Sequence, residues 1–221
     1  MQEPDLSFPV TVSMITPQKK NPNRFSLFSE NGFLCGVSSD TLLKFHIHNG
    51  SVLTRDIFRR IAAEEELQKI KAYLLNLLSR RNHSTGELKQ KALVKGLNMN
   101  LTDQVIGELC EKGYADDRHF AEIFAREKLR LNQWGPVKIK SELFKKNVKS
   151  VYIEDALNTL LESLDQKQIC IDLILKKEKS FMRIKDTFKR KQKIISYLRQ
   201  KGFTSESIRS ATIDLSDKLD V

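Results

Sequence analysis

Asp116 and Asp117 stand side by side in the stretch EKGYADDRHFAE, residues 111–122, with Arg118 and His119 directly after them. Adjacent carboxylates beside an imidazole could hold a metal ion, or share a proton between an acid and a base. A metal needs further ligands, and His119 is the one candidate in the local sequence. The same letters also suit a helix start. A carboxylate at the N-cap accepts the free N–H groups of the first turn and faces the positive end of the helix dipole. Phe120, Ile123, Phe124 and Leu131 follow at helical spacing, so Asp116 or Asp117 is expected to cap. Replacing both by alanine should then cost about 1–2 kcal/mol of stability without erasing a chemical step.

Other chemistry finds less support. His46 and His48, at i and i+2, would face together on a strand, yet no cysteine or carboxylate cluster accompanies them. No G-x-S-x-G nucleophile elbow, no G-x-x-x-x-G-K-[ST] loop and no G-x-G-x-x-G turn occurs. No catalytic residue, metal or cofactor is therefore assigned, and the chain is expected not to be an enzyme. Cys35, Cys110 and Cys170 are odd in number and lack C-x-x-C spacing, so they read as reduced, mostly buried thiols.

The elements that would position these residues are mostly helical. Only 9 Gly and 5 Pro among 221 residues, with 30% charged side chains, argue against a turn-rich β sandwich. No run of 18 apolar residues exists and the N-terminus lacks a signal-peptide pattern, so a cytoplasmic protein without a membrane anchor is expected. Residues 1–53 differ in texture. FPVTVSMI and RFSLF are β-rich, and RFSLFSENGFLCGV sets Asn31-Gly32 between two apolar runs, a hairpin signal placing a small antiparallel piece over roughly 8 to 37. A short helix follows, with Ser39 or Asp40 as its cap. From Thr54 the period turns helical, and the Glu64-Glu65-Glu66 run is expected on or near a solvent face.

Comparing the chain with itself shows a repeat. Residues 88–106, 139–157 and 194–212 superpose Ala92, Leu143 and Leu198, then Lys95, Lys146 and Lys201, then Gly96, Asn147 and Gly202. Each copy reads as a helix ending in Lys, then Gly or Asn for a left-handed cap, then an apolar residue and another helix. Amphipathic helices precede each copy, at 67–79, 118–131 and 166–180. The expected fold is mainly α: three tandem three-helix repeats in an elongated, curved array, after a small N-terminal β-hairpin segment. The divisions are 1–53, 54–113 (a linker helix and the first repeat), 114–165 and 166–221.

The net charge of +10 is uneven. Residues 166–221 carry 14 basic against 7 acidic side chains, and within 176–201 eleven basic residues face only Glu178 and Asp186. A second basic stretch runs from Lys128 to Lys149 with Glu142 as its sole acid. Such patches suit a polyanion, or a protein polymer wrapped around one; a solvated lysine-rich face is the bland alternative. Lys138, Lys145 and Lys146, expected to share an outward region, and Arg183, Lys189, Arg190 and Lys193 are the candidate contacts for such a partner. Trp134, in NQWGPVKIKSEL, is either an anchor for the turn or an exposed hot spot.

Two motifs carry a family resemblance. Gly113, Tyr114, Asp116, Asp117, Phe120 and Ala121 match a G-Y-x-D-D-x-x-F-A segment; Gly135, Pro136, Ile139, Glu142 and Leu143 match a G-P-x-x-I-x-x-E-L segment. Together with KKNVKSVYIEDAL they resemble the bacterial RecX regulatory family, over most of the chain. The last repeat keeps the Y-L-x-x-K-G-F texture but is more lysine-rich upstream. What the resemblance implies is a non-enzymatic modulator, expected to act as a monomer, that binds the filament of the recombinase RecA on single-stranded DNA. It would inhibit ATP hydrolysis, strand exchange and coprotease activity, and so modulate recombination, DNA repair and the SOS response. Some members also contact DNA. The alternative is a helical-repeat module that binds naked nucleic acid, which would show as binding without filament that weakens steeply as salt rises.

Overall fold

The hairpin signal is realised as part of a larger N-terminal sheet. In the computed structural model, which describes residues 7–19, 21–162 and 164–216, strands β2 (Met14–Gln18), β3 (Asn21–Ser29) and β4 (Gly32–Ser38) form an antiparallel sheet in the order β2-β3-β4. The turn residues are Glu30 and Asn31; Gly32 at φ 115° already belongs to β4 and pairs with Ser29. Strand alternation in β2 and β3 puts Leu27 and Ile15 on one face and Met14 and Phe28 on the other, and a register shift in the β3–β4 pairing after Leu27 sets Cys35 opposite Leu27 and Phe33 opposite Phe28. A second pair, β1 (Val10–Thr11) with β5 (Val52–Leu53), has only two residues per strand, too short for alternation to reveal in the sequence.

Helix α1 (Ser39–Lys44) is capped by Ser38 rather than by Ser39 or Asp40: the Ser38 hydroxyl accepts from Thr41 N at 3.1 Å. Thr54 caps α2 (Arg55–Leu78) as expected, its Oγ1 accepting from Ile57 N. Phe58 and Ile61 of α2 join Val12, Leu27, Leu34 and Val37 in one core cluster. Glu65 departs from expectation. Instead of facing solvent with Glu64 and Glu66, it is 4% exposed. Its Oε1 accepts from Ser38 N at 2.7 Å and Thr41 Oγ1 at 2.6 Å, and Arg24 lies 3.0 Å from Oε2. Those partners come from β3, β4 and α1, which is why the acidic run could not announce them.

The remaining described helices are α3 (Thr85–Val94), α4 (Met99–Glu111), α5 (Asp117–Asn132), α6 (Pro136–Lys145), α7 (Ser150–Glu162), α8 (Gln166–Lys176), α9 (Glu178–Met182), α10 (Thr187–Lys201) and α11 (Ser205–Asp214). The repeated Gly/Asn positions take the left-handed conformation, at φ 71° for Gly96, 55° for Asn147 and 88° for Gly202. In the second repeat α7 packs on both α5 and α6. Phe120, Ala121, Ile139, Leu143 and Ile153 form the core between them. In the third repeat α11 packs on α8 and α10 around Cys170, Leu173, Ile194, Leu198 and Phe203. The expected single helix over 166–180 stops at Lys176 and resumes as α9, which carries Phe181 into this core. Cys35 and Cys170 are buried, and burial pushes their thiols up to about 11 and about 12; Cys110 is exposed. The described residues fall into two compact units, residues up to Asn76 with Lys95–Val105, and Leu77–Val94 with residues from Ile106 onward. The mainly α architecture with a small N-terminal antiparallel sheet stands.

Candidate polyanion and partner interface

The second repeat carries an alternation of cations and rings. Gln133 leaves α5 at φ 53°, its amide donating to Leu129 O, and the next amide, of Trp134, donates to Lys128 O at 3.1 Å. This wrapped helix end sets the indole beside Phe124, ring centroids 6.5 Å apart. Lys146 Nζ lies 5.4 Å from the Phe124 centroid and Lys128 Nζ 5.3 Å from the same ring. Lys128 Nζ is also 5.4 Å from the Trp134 centroid, with Lys138 Nζ at 4.5 Å from it. The order is Lys146, Phe124, Lys128, Trp134, Lys138. Each contact contributes about 0.5–1 kcal/mol where exposed, and together they hold three ammonium groups in a row. At the Lys146 end, a cleft of about 260 Å³ is lined by Arg81, Asn82, Phe120, Phe124, Glu127 and Lys128, among others.

The ladder runs between two joints of similar construction. At the first, Ser84 Oγ donates to Lys146 O at 2.7 Å, and Gly86 lies so close to Lys146 and Asn147 that a Cβ would collide with both. Ser84 and Glu87 also form a capping box: Glu87 N donates to Ser84 Oγ at 3.0 Å and Ser84 N to Glu87 Oε2 at 3.4 Å. At the second, Gly135 N donates to Lys201 O at 2.8 Å and Val137 N to Gly202 O at 3.0 Å. A Cβ on Gly135 would meet the Gly202 backbone, and one on Gly202 would meet Lys138. The end of α10 thus meets the start of α6, and the end of α6 meets the start of α3. At the second joint carbonyls at one helix end accept from free amides at the next, and at the first a serine hydroxyl supplies the donor; in both, opposed dipole ends meet.

The aspartate pair divides its work across the first joint. Asp116 is the N-cap of α5, accepting from Arg118 N at 2.8 Å and His119 N at 3.1 Å. Asp117 Oδ1 accepts from Thr85 N at 2.8 Å and its Oδ2 from Thr85 Oγ1 at 2.7 Å. Among the described residues no group of three or more His, Cys, Asp and Glu is placed to hold a metal. Gly113 reverses the chain at φ 73° and Tyr114 is exposed. Gly135, Pro136, Ile139 and Leu143 are buried at the joint and in the core, and Glu142 pairs with Lys145 at 2.7 Å.

The basic candidates separate. Lys138, Lys145 and Lys146 do not share one free outward region. Lys138 and Lys146 sit half-buried at opposite ends of α6, whereas Lys145 is exposed beside Glu142. Lys146 Nζ lies 2.6 Å from Glu87 Oε1. Arg183, Lys189 and Lys193 are exposed, but Arg190 is 5% exposed and its Nε donates to Ile184 O at 3.0 Å. Arg190 is therefore withdrawn as a contact: its guanidinium ties α10 to the turn that follows α9. Trp134 is half-buried, both packed against the second-repeat core and part of the ladder. Lys128 was read only as one end of a basic stretch and Phe124 only as part of a helical pattern, and Ser84, Glu87 and Thr85 were missed. The S-T-G-E spelling of the capping box was the one local signal available.

Residues 10–54 match the N-terminal domain of the regulatory protein RecX, 116–157 its second three-helix domain and 165–212 its third. The chain belongs to the RecX family. It is 31% identical over 193 residues to the regulatory protein RecX of Leuconostoc mesenteroides subsp. mesenteroides, spanning 87% of this chain and 71% of that one. Identity to the RecX of Geobacillus sp. (strain WCH70) is also 31%, over 94% of this chain and 77% of that one. A crystal structure of a regulatory protein RecX shares the fold, with TM-score 0.75 at 20% identity over 92% of this chain and 98% of that one. RecX from Lactobacillus salivarius gives 0.61 at 24% identity, over 71% and 98%. In this RecX-family chain no described helix is long and apolar enough to cross a membrane.

Proposed function

We propose that this chain is a non-enzymatic regulator that binds the RecA filament on single-stranded DNA and inhibits its ATP hydrolysis, strand exchange and coprotease activities. Recombination, repair and the SOS response would be modulated through that contact. Membership of the RecX family, matched at the N-terminal domain and two repeats, carries the reading. A monomer built as three repeats, 54–113, 114–165 and 166–221, would offer repeated basic faces to an acidic filament surface or to the DNA within it. The test is single-stranded-DNA-dependent ATP hydrolysis by RecA with substoichiometric amounts of the chain, paired with co-sedimentation. Inhibition with co-sedimentation is expected; neither one appearing would sink the proposal.

A second reading, direct binding of single-stranded nucleic acid, is favoured by the ladder of Lys128, Lys138 and Lys146 around Phe124 and Trp134. Cations tracking a backbone beside rings that can stack on bases is the usual construction of such surfaces.

A further inference from the structure

The two joints both bring a glycine close to the end of another helix, but a hydroxyl donor crosses the first, two backbone amides cross the second, and their charge logic is opposite. Glu87 and Lys146 face each other across the first, bonded at 2.6 Å, and Arg81 adds a second cation to Glu87 at 3.0 Å. The repeat places Lys138 where Glu87 stands and Lys201 where Lys146 stands. Lysine therefore faces lysine across the second joint. Lys138 Nζ reaches Gln200 O at 3.4 Å and Lys201 Nζ donates to Asn132 O at 2.8 Å, so both ammonium groups lean on helix-end carbonyls. Among the described residues no carboxylate lies within ion-pair distance of Lys138, Lys176, Lys177 or Lys201. Burial lowers the pKa of Lys201, and Lys138, Lys177 and Lys176 add to the effect. Two rings border the cluster: Trp134 under Lys138, and Tyr197 under Lys177 at 4.4 Å.

We infer that the second joint is a phosphate site for single-stranded nucleic acid, in which a backbone phosphate lies between Lys138 and Lys201 in the role of the Glu87 carboxylate, with a base against Trp134. A lone acidic side chain would answer the charge but leave both rings unused; a polynucleotide supplies an anion and a π face at each step. The inference deepens the nucleic-acid reading and rests on it, while asking nothing of filament binding.

Trp134 is the single tryptophan, so its fluorescence reports on the second joint and on the ladder that begins there. The full chain is titrated with a fluorescently labelled oligothymidylate, following label anisotropy and Trp134 emission together, at several salt concentrations. Binding with Trp134 quenching that weakens as salt rises is expected. Lys138→Glu installs the charge pair of the first joint, so it should unfold no earlier than wild type in urea while weakening binding at least ~10-fold. Anisotropy change without quenching would preserve nucleic-acid binding but remove this site. Unchanged affinity in Lys138→Glu, or equal quenching by polyglutamate, would also overturn the inference. Absence of any binding would remove it together with the second reading, leaving the filament proposal to its own co-sedimentation test.

Discussion

The Asp117 carboxylate and Thr85 are joined by two hydrogen bonds, 2.8 Å from the Thr85 amide and 2.7 Å from its hydroxyl, between the start of α5 and the start of α3. The neighbouring Asp116 turns to its own helix instead and caps α5. One carboxylate is local and the other tertiary, and their removal should therefore differ in cost. Asp116→Ala is expected to lose about 1 kcal/mol, as a cap does. Asp117→Ala should lose about 1.5–3 kcal/mol, because two charge-assisted bonds go and the Thr85 donors are stranded. Urea unfolding measures both, and Thr85→Val should add little on top of Asp117→Ala. An Asp117→Ala protein as stable as wild type would contradict this account.

Glu87 makes the first joint sensitive to acid. Burial by itself would raise its carboxyl, but hydrogen bonds and charge from Arg81 and Lys146 prevail and bring it from 4.5 to about 2. A carboxyl depressed on folding contributes stability that is fully present above its unfolded value and is lost as pH falls through its folded value. Stability should therefore decline between about pH 4.5 and about pH 2 through this residue. Glu87→Gln should be less stable at neutral pH and show a shallower decline across that window, read as urea midpoint against pH. Parallel profiles for the two proteins would refute the assignment.

Gly135 and Gly107 offer a paired test of close approach. A Cβ on Gly135 would collide with the Gly202 backbone, whereas one on Gly107, within α4, would meet nothing within 4 Å. Gly135→Ala should cost about 1–3 kcal/mol by prising the joint apart. Gly107→Ala should gain up to about 1 kcal/mol from helix propensity. Thermal unfolding of the two variants beside wild type decides, and equal responses would argue against a backbone-contact joint.

Arg190 and Lys193, three residues apart on α10, should behave as different kinds of residue. Arg190→Ala should lose about 1–3 kcal/mol, since carbonyls at the preceding turn lose their donor. Lys193→Glu, on an exposed position, should change stability by less than about 0.5 kcal/mol. Co-sedimentation with filaments, compared at matched salt, should weaken for Lys193→Glu. Full binding in a combined Lys189→Glu and Lys193→Glu protein would show this face to be merely solvated.

Much of the fold was legible because its signals are local. The Lys-Gly/Asn-apolar punctuation at 95–97, 146–148 and 201–203 exposed the repeat, since only glycine and asparagine settle readily at the left-handed helix ends observed there. Of the residues read at helical spacing, Phe120 enters the second-repeat core and Phe124 packs against it, whereas Leu131 is exposed. Short-range pattern failed where a partner comes from far along the chain. Glu65 looked solvated within an acidic run, yet three separate elements converge on it. Arg190 looked like one more cation in a basic stretch, yet it turns inward to carbonyls.

By itself, the sequence determined the helical class, the repeat, the left-handed helix ends and the excess of positive charge, all of which follow from side-chain period, backbone permissiveness and composition. Tertiary structure alone decided which charges are satisfied. Lys146 and Lys201 occupy the same place in the repeat, but one meets a carboxylate 59 residues away and the other meets lysines. Coulomb energy depends on separation in space, and only folding sets that separation.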